Sequence, residues 1–99
     1  MNIEIGKRAS HQVERASDRW QKYRPSAPFL VEQELDEALR RLRTMPKIGI
    51  PYAMSKRSEV RRLLLPKTEY HLYYTLERDE TVIVIHSVWG ARRGRGPKL

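Results

Sequence analysis

Between Lys7 and Arg24 the apolar side chains are Ala9, Val13, Ala16, Trp20 and Tyr23, spaced 4, 3, 4, 3. After a short proline-bracketed link the same spacing returns in Val31, Leu35, Ala38, Leu42 and Met45. Such spacing lays one apolar stripe along each of two helices and leaves the other faces polar. Pro25 ends the first helix, because the residue before a proline is kept out of helical backbone. In the link PSAP, Ser26 reads as the N-cap of the second helix, with Pro28 tolerated in its first turn. The second stripe is widened by Leu39. Glu32, Glu34, Asp36 and Glu37 lie toward its start and Arg40, Arg41 and Arg43 near its end, an order that suits the helix dipole. Two heptads are too short for a coiled coil, and a link this short predicts an antiparallel helical hairpin with facing stripes.

Past Met45 the period changes. MPKIGIPYAMSK holds two prolines and a glycine and reads as a loop with apolar anchors. Glu59–Leu65, Tyr70–Leu76 and Thr81–Val88 read as strands, the last apolar on both faces as a central strand requires. The short polar links PKTE and ERDE make these strands a meander. Asn2–Ile5 alternates as a short first strand would. The fold class expected is therefore α+β, ordered β-α-α-β-β-β: a short N-terminal strand, an antiparallel helical hairpin and a three-stranded antiparallel meander packed on it. Ninety-nine residues suit one domain, 1–99, ending in a basic tail from about residue 90.

Short links also permit register arithmetic. A tight turn at Arg78–Asp79 places His71 opposite His86, Tyr73 opposite Val84 and Leu72 opposite Ile85. Closing the other hairpin at Leu65 and Tyr70 places Arg62 opposite Tyr73 and Leu63 opposite Leu72. One sheet face then collects Leu63, Leu65, Leu72, Tyr74, Ile83 and Ile85, a seat for the helical hairpin. The other collects Arg62, His71, Tyr73 and His86. Cleavage of RNA through the 2′-hydroxyl needs a base, an acid and cations against the phosphorane charge, roles that two imidazoles, a phenol and an arginine can fill. The plainer alternative is that His and Tyr simply cover a half-exposed sheet. Two converging histidines with no carboxylate make no metal site, and no cofactor is expected. His11 falls on the polar side of the first helix.

The chain carries 20 Lys+Arg against 12 Asp+Glu, a net charge of +8. Such an excess attracts polyanions: nucleic acid, an anionic surface or an acidic protein segment. Residues 1–55 contribute 10 bases and 7 acids, and residues 56–99 contribute 10 bases and 5 acids, so the excess grows toward the C-terminus. Lys56, Arg57, Arg61 and Arg62 form one cluster. Arg92, Arg93, Arg95 and Lys98 form another in a glycine-rich, open tail after Trp89, suited to gripping phosphates or stacking a base. Zero cysteines exclude a disulfide framework, a thiolate zinc site and a Cys nucleophile. MNIEIGKR lacks the apolar core of a signal peptide, no run approaches a membrane span, and neither helix pairs a large apolar face with a uniformly basic flank. A soluble cytoplasmic protein without a membrane role is expected.

Three phrases, LDEALRRLRTMPKIGIPY, RRLLLPKTEYHLYY and VIVIHSVWGARRGRGPKL, together with the element order, resemble the RelE/ParE superfamily of bacterial toxins. The resemblance implies the toxin of a type II toxin–antitoxin module. Its partner would be a cognate antitoxin whose acidic and apolar C-terminal segment wraps the toxin. RelE-like members cut messenger RNA on the ribosome, and matching basic positions would be Lys56, Arg57, Arg61 or Arg62 and Arg92 or Arg93. This chain has no tyrosine after Tyr74, where such members often place one. ParE-like members inhibit DNA gyrase without a nuclease centre and commonly end in a glycine- and arginine-rich segment, to which SVWGARRGR is closer. The residues leave three readings: a gyrase-directed toxin, favoured by that ending; a ribosome-dependent endoribonuclease using Arg62, His71, Tyr73 and His86; and a small basic RNA-binding protein. Target or nucleic-acid contacts are expected from Lys56, Arg57, Arg61, Arg62, Trp89, Arg92, Arg93 and Arg95.

Overall fold

The two stripes become helices and the meander becomes part of a larger sheet. A computed structural model describes residues 1–99. Strand β1 (Asn2–Ile5) leads into helices α1 (Lys7–Tyr23) and α2 (Leu30–Thr44). Strands β2 (Ile50–Ser55), β3 (Ser58–Leu65), β4 (Tyr70–Glu77) and β5 (Val82–Gly90) follow. They form one five-stranded sheet in the order β1-β5-β4-β3-β2, antiparallel except that β1 runs parallel to β5. All six residues expected under the hairpin do face it: Leu65, Leu72, Tyr74, Ile83 and Ile85 are buried in one cluster with Ala9, Leu35, Ala38 and Leu42, and Leu63 packs against its rim.

Three local expectations fail, each for a physical reason. The α2 helix begins at Leu30 rather than just after Ser26, and its N-cap position is Phe29 with no side-chain cap. Capping by Ser26 would demand helical backbone at Ala27, immediately before Pro28, which the proline ring disfavours. Residues 24–30 instead make two tight turns, closed by Ala27 N–H to Arg24 O at 3.0 Å and Leu30 N–H to Ala27 O at 3.3 Å.

The segment read as a loop contains the edge strand β2. Pro51 is compatible with an edge, where one N–H needs no ladder partner, and the β2–β3 register shifts between Pro51 and Ala53. Tyr74 pins the approach to this strand from below: its hydroxyl donates to Pro46 O at 2.8 Å and accepts from Gly49 N–H at 2.9 Å. Burial pushes the Tyr74 phenol up, against smaller opposing effects of the Gly49 bond and Arg61.

The β4–β5 register is the third. Arg62 does pair with Tyr73 and Leu63 with Leu72, as the short β3–β4 link requires. On the other side His71 lies opposite Trp89, Leu72 opposite Val88 and Tyr73 opposite Ser87, not opposite His86, Ile85 and Val84. Two devices cause the shift. The turn is four residues long, with Arg78, Asp79 and Glu80 all left-handed (φ 51°, 57° and 65°). A bulge then falls between Tyr73 and Tyr74, where β5 carries one extra residue, His86. Beyond Ile85, where β1 no longer pairs with β5, helix α1 covers the strand instead: Gln12 Oε1 accepts from Val88 N–H at 2.8 Å and from the Ser87 hydroxyl at 2.9 Å.

Candidate functional site

The face of the sheet turned away from the helices is where the candidate residues meet. Alternation along β3 and β4 puts Arg62, His71 and Tyr73 on that face, and β2 adds Tyr52, a residue hidden in the segment read as loop. Tyr73 is buried at the centre. The Tyr52 ring meets it edge-on at 4.9 Å and His71 lies 6.0 Å away, also edge-on. The Arg62 guanidinium stands 5.2 Å over Tyr52, and its buried Nε has no hydrogen-bond partner. Burial, and secondarily Arg62, pushes the His71 imidazole below its ordinary pKa, so at neutral pH it is uncharged.

His86 does not join them. It lies on the same face but toward the other end, its Nε2 sharing a 2.8 Å hydrogen bond with the Thr75 hydroxyl. Thr75 is four residues along β4 from His71, about 13 Å at the usual strand rise. Burial lowers the His86 pKa; Glu77 opposes this and Lys56 adds to it. The hollow around His86 is small, 180 Å³, and lined by Lys56, Thr75, Glu77 and Leu99 among others.

The basic residues divide similarly. Lys56 and Arg57 form the β2–β3 turn with left-handed backbone (φ 48° and 71°). Arg61 points the other way and is spent on structure: it donates to Lys47 O at 3.1 Å and Gly49 O at 2.7 Å and pairs with Glu59 at 3.0 Å. Arg92 pairs with Glu69 at 2.9 Å.

The tail is folded back across the sheet rather than open. Trp89 Nε1 donates to Arg95 O at 2.8 Å, and Arg93 lies 4.2 Å over the Trp89 ring. Gly96 sits against the Tyr52 hydroxyl so tightly that a Cβ there would collide with it. Further on, Arg8 of α1 donates to Lys98 O at 2.7 Å. The result is a cleft of 160 Å³ whose floor is Tyr52, Arg62, His71 and Tyr73 and whose lip is the segment from Trp89 to Gly96. Alternation of Ile50, Tyr52 and Met54 was the available signal for Tyr52; Pro46 and Pro51 obscured it.

Over residues 3–94 the chain matches the family model described as the ParE toxin of the type II toxin–antitoxin system parDE. The chain belongs to the ParE toxin family. It is therefore the toxin of a type II toxin–antitoxin system, with an antitoxin protein as its partner. The match spans both helices, all five strands, the cleft floor and the Arg92–Arg93 pair. A comparison with curated proteins returns no match. No helix of this ParE-family toxin is long and apolar enough to cross a membrane.

Proposed function

We propose that this ParE-family toxin arrests growth by binding DNA gyrase, as a protein–protein inhibitor rather than through a catalytic centre on its sheet. The observation carrying this reading is the bulge at His86. Phosphodiester cleavage by paired imidazoles requires both at one reacting group, within hydrogen-bond reach or one water away. Here the extra residue in β5 and the long β4–β5 turn leave only His71 in the cleft, with His86 bonded to Thr75. What the cleft does offer is recognition chemistry: two tyrosines, an arginine and the Trp89–Arg93 stack, residue types that anchor protein interfaces. Arg95 lines the same cleft, Lys56 and Arg57 extend the contact from the β2–β3 turn at the His86 end of the face, and the antitoxin competes for that face.

Purified toxin added to gyrase and plasmid DNA should block supercoiling or accumulate cleaved gyrase–DNA complexes. His71→Ala should remain toxic in cells, whereas Trp89→Ala combined with Arg93→Ala should lose gyrase inhibition. Messenger RNA cut in a ribosomal A-site pattern, abolished by His71→Ala or Arg62→Ala in a folded protein, overturns the proposal in favour of an endoribonuclease.

A further inference from the structure

Helix α1 carries more positive charge than its packing uses. Its side toward α2 is neutral and hydrogen-bonded, with Ser17 donating to Glu32 at 2.7 Å and Gln21 to Ser17 at 3.1 Å. The opposite flank, next to Gln12 and the end of β5, holds Arg8, Arg15 and Arg19, spaced seven and four residues apart and therefore on one side of the helix. From Arg8 to Arg19 that row runs about 16 Å at the helical rise of roughly 1.5 Å per residue. None of these three lies within 4.0 Å of a carboxylate, and neither does Arg24 or Arg93; the ion pairs of the molecule are made by other residues.

The row borders a continuous trough. A hollow of 260 Å³ lies between Arg15 and Arg19 on the helix and Tyr70, Trp89 and Arg93 on the sheet. A second hollow of 420 Å³ shares Arg19, Tyr70, Gly90 and Arg93 with it and is walled by Trp20, Tyr23 and Tyr70 and ringed by Arg19, Arg24, Arg92 and Arg93. One carboxylate, that of Glu69, lies in this wall, and it is paired with Arg92. Tyr23 is 64% exposed, with the Lys22 ammonium 5.4 Å over its ring, although the helical stripe would have placed it in the core.

We propose that this trough binds a single-stranded nucleic acid, with Arg15 and Arg19 following the phosphates and Trp20, Tyr23 and Tyr70 stacking bases at the wider end. A cationic track with aromatic walls is the arrangement that holds unpaired strands, since every base offers a π-face while the phosphates supply charge at regular intervals. A peptide of acidic residues alone would satisfy the guanidinium groups but leave the aromatic wall without a partner, and a duplex buries its bases away from it. A peptide both acidic and apolar is the competing occupant that the experiment must beat. The trough adjoins the cleft of the gyrase reading and shares Trp89 and Arg93 with it, but Arg15, Arg19 and Tyr23 line the trough and not the cleft, so it can be tested through them and without gyrase.

The experiment is fluorescence anisotropy of full-length toxin with a labelled 12-nucleotide single strand, a hairpin duplex of similar length and a glutamate- and leucine-rich peptide, each at several salt concentrations. The expected result is binding of the single strand in preference to both others, weakened at least tenfold by Arg15→Gln with Arg19→Gln. The salt slope should fall by roughly 1.4, since each phosphate contact on a single strand contributes about 0.7. Tyr23→Ala should weaken binding without changing the slope. Both changes are at exposed positions, and thermal melts report whether the fold survives. The control is Arg40→Gln with Arg43→Gln on α2, which removes the same charge elsewhere and should leave affinity within twofold. Equal weakening by the control pair, no binding of the strand, or preference for the duplex or the peptide each overturns the proposal.

Discussion

Replacing Glu34 should destabilise this toxin more than any other single change to a charged side chain. Glu34 projects from α2 into the β3–β4 turn, where its residue is only 8% exposed. Its carboxylate accepts three hydrogen bonds: from Lys67 N–H at 2.7 Å, Thr68 N–H at 2.9 Å and the Thr68 hydroxyl at 2.6 Å. In Glu34→Ala the Thr68 amide and hydroxyl stay buried with no acceptor, while the Lys67 amide, next to solvent, recovers a water. An abandoned buried donor costs about 1–3 kcal/mol, so two such groups, partly relaxed, put the loss at about 2–4 kcal/mol. For a chain of this size each kcal/mol shifts Tm by about 4–8 °C, which gives a drop of at least about 8 °C. Glu34→Gln keeps one acceptor oxygen and turns an amine toward a donor, so it should lose roughly half as much. Thermal melts followed by far-UV circular dichroism, with urea midpoints as a second measure, rank the proteins wild type, Gln, Ala. If the Ala variant melts within 2 °C of wild type, the carboxylate is not what holds the turn to the helix, and the reasoning fails.

Three more outcomes follow from particular contacts. A Cβ at Gly49 would lie 2.7 Å from the Tyr74 hydroxyl, 2.8 Å from its ring carbon Cε1 and 3.1 Å from Arg62 O, so Gly49→Ala should cost about 1–3 kcal/mol, read as a lower urea midpoint, and an unchanged midpoint would refute the clash. Asp79 stands in the middle of three left-handed residues and makes no side-chain bond, so Asp79→Gly should gain about 0.5–1 kcal/mol by relieving backbone strain, read as a higher Tm; a lower one contradicts it. Burial depresses both His71 and His86 below the 6.5 of a free imidazole, so the unfolded chain binds more protons than the native one below that pH. Stability is therefore complete above about pH 6.5 and declines as pH falls through the native values of the two groups. Urea midpoints at pH 7.5 and 5.5 should show the decline, and a His71→Asn/His86→Asn protein should flatten it.

Much of this architecture was legible because its signals are local. Stripes at helical spacing and apolar runs bounded by short links need nothing from the rest of the chain, and the Arg62–Tyr73 pairing followed from one link of fixed length. What escaped was decided by tertiary context. The β2 strand is held by Tyr74 and Arg61 bonding to Pro46, Lys47 and Gly49, contacts no window of Pro- and Gly-rich sequence can reveal. The place of His86 depends on a bulge beside residues that Gln12 holds from another element, 75 residues away in the chain. The tail looked open because glycines permit that, but Gly96 is there to let the backbone press on Tyr52. Trp20 and Tyr23 sat in the expected stripe, yet the sheet ends before it reaches them.

The parallel pairing of β1 with β5 has a consequence for how the molecule comes into being. Asn2 finds its partner Val82 only after 80 further residues exist. Until then a nascent chain holds a helical hairpin formed from local contacts, its apolar stripes uncovered and its first strand waiting. Closing so long a loop costs chain entropy before its contacts offset it, which slows formation of a parallel pair. The cleft and the tail that crosses it are assembled on the very strand that ends this wait. No fragment that stops short of β5 therefore holds the whole cleft, whose lip begins at Trp89.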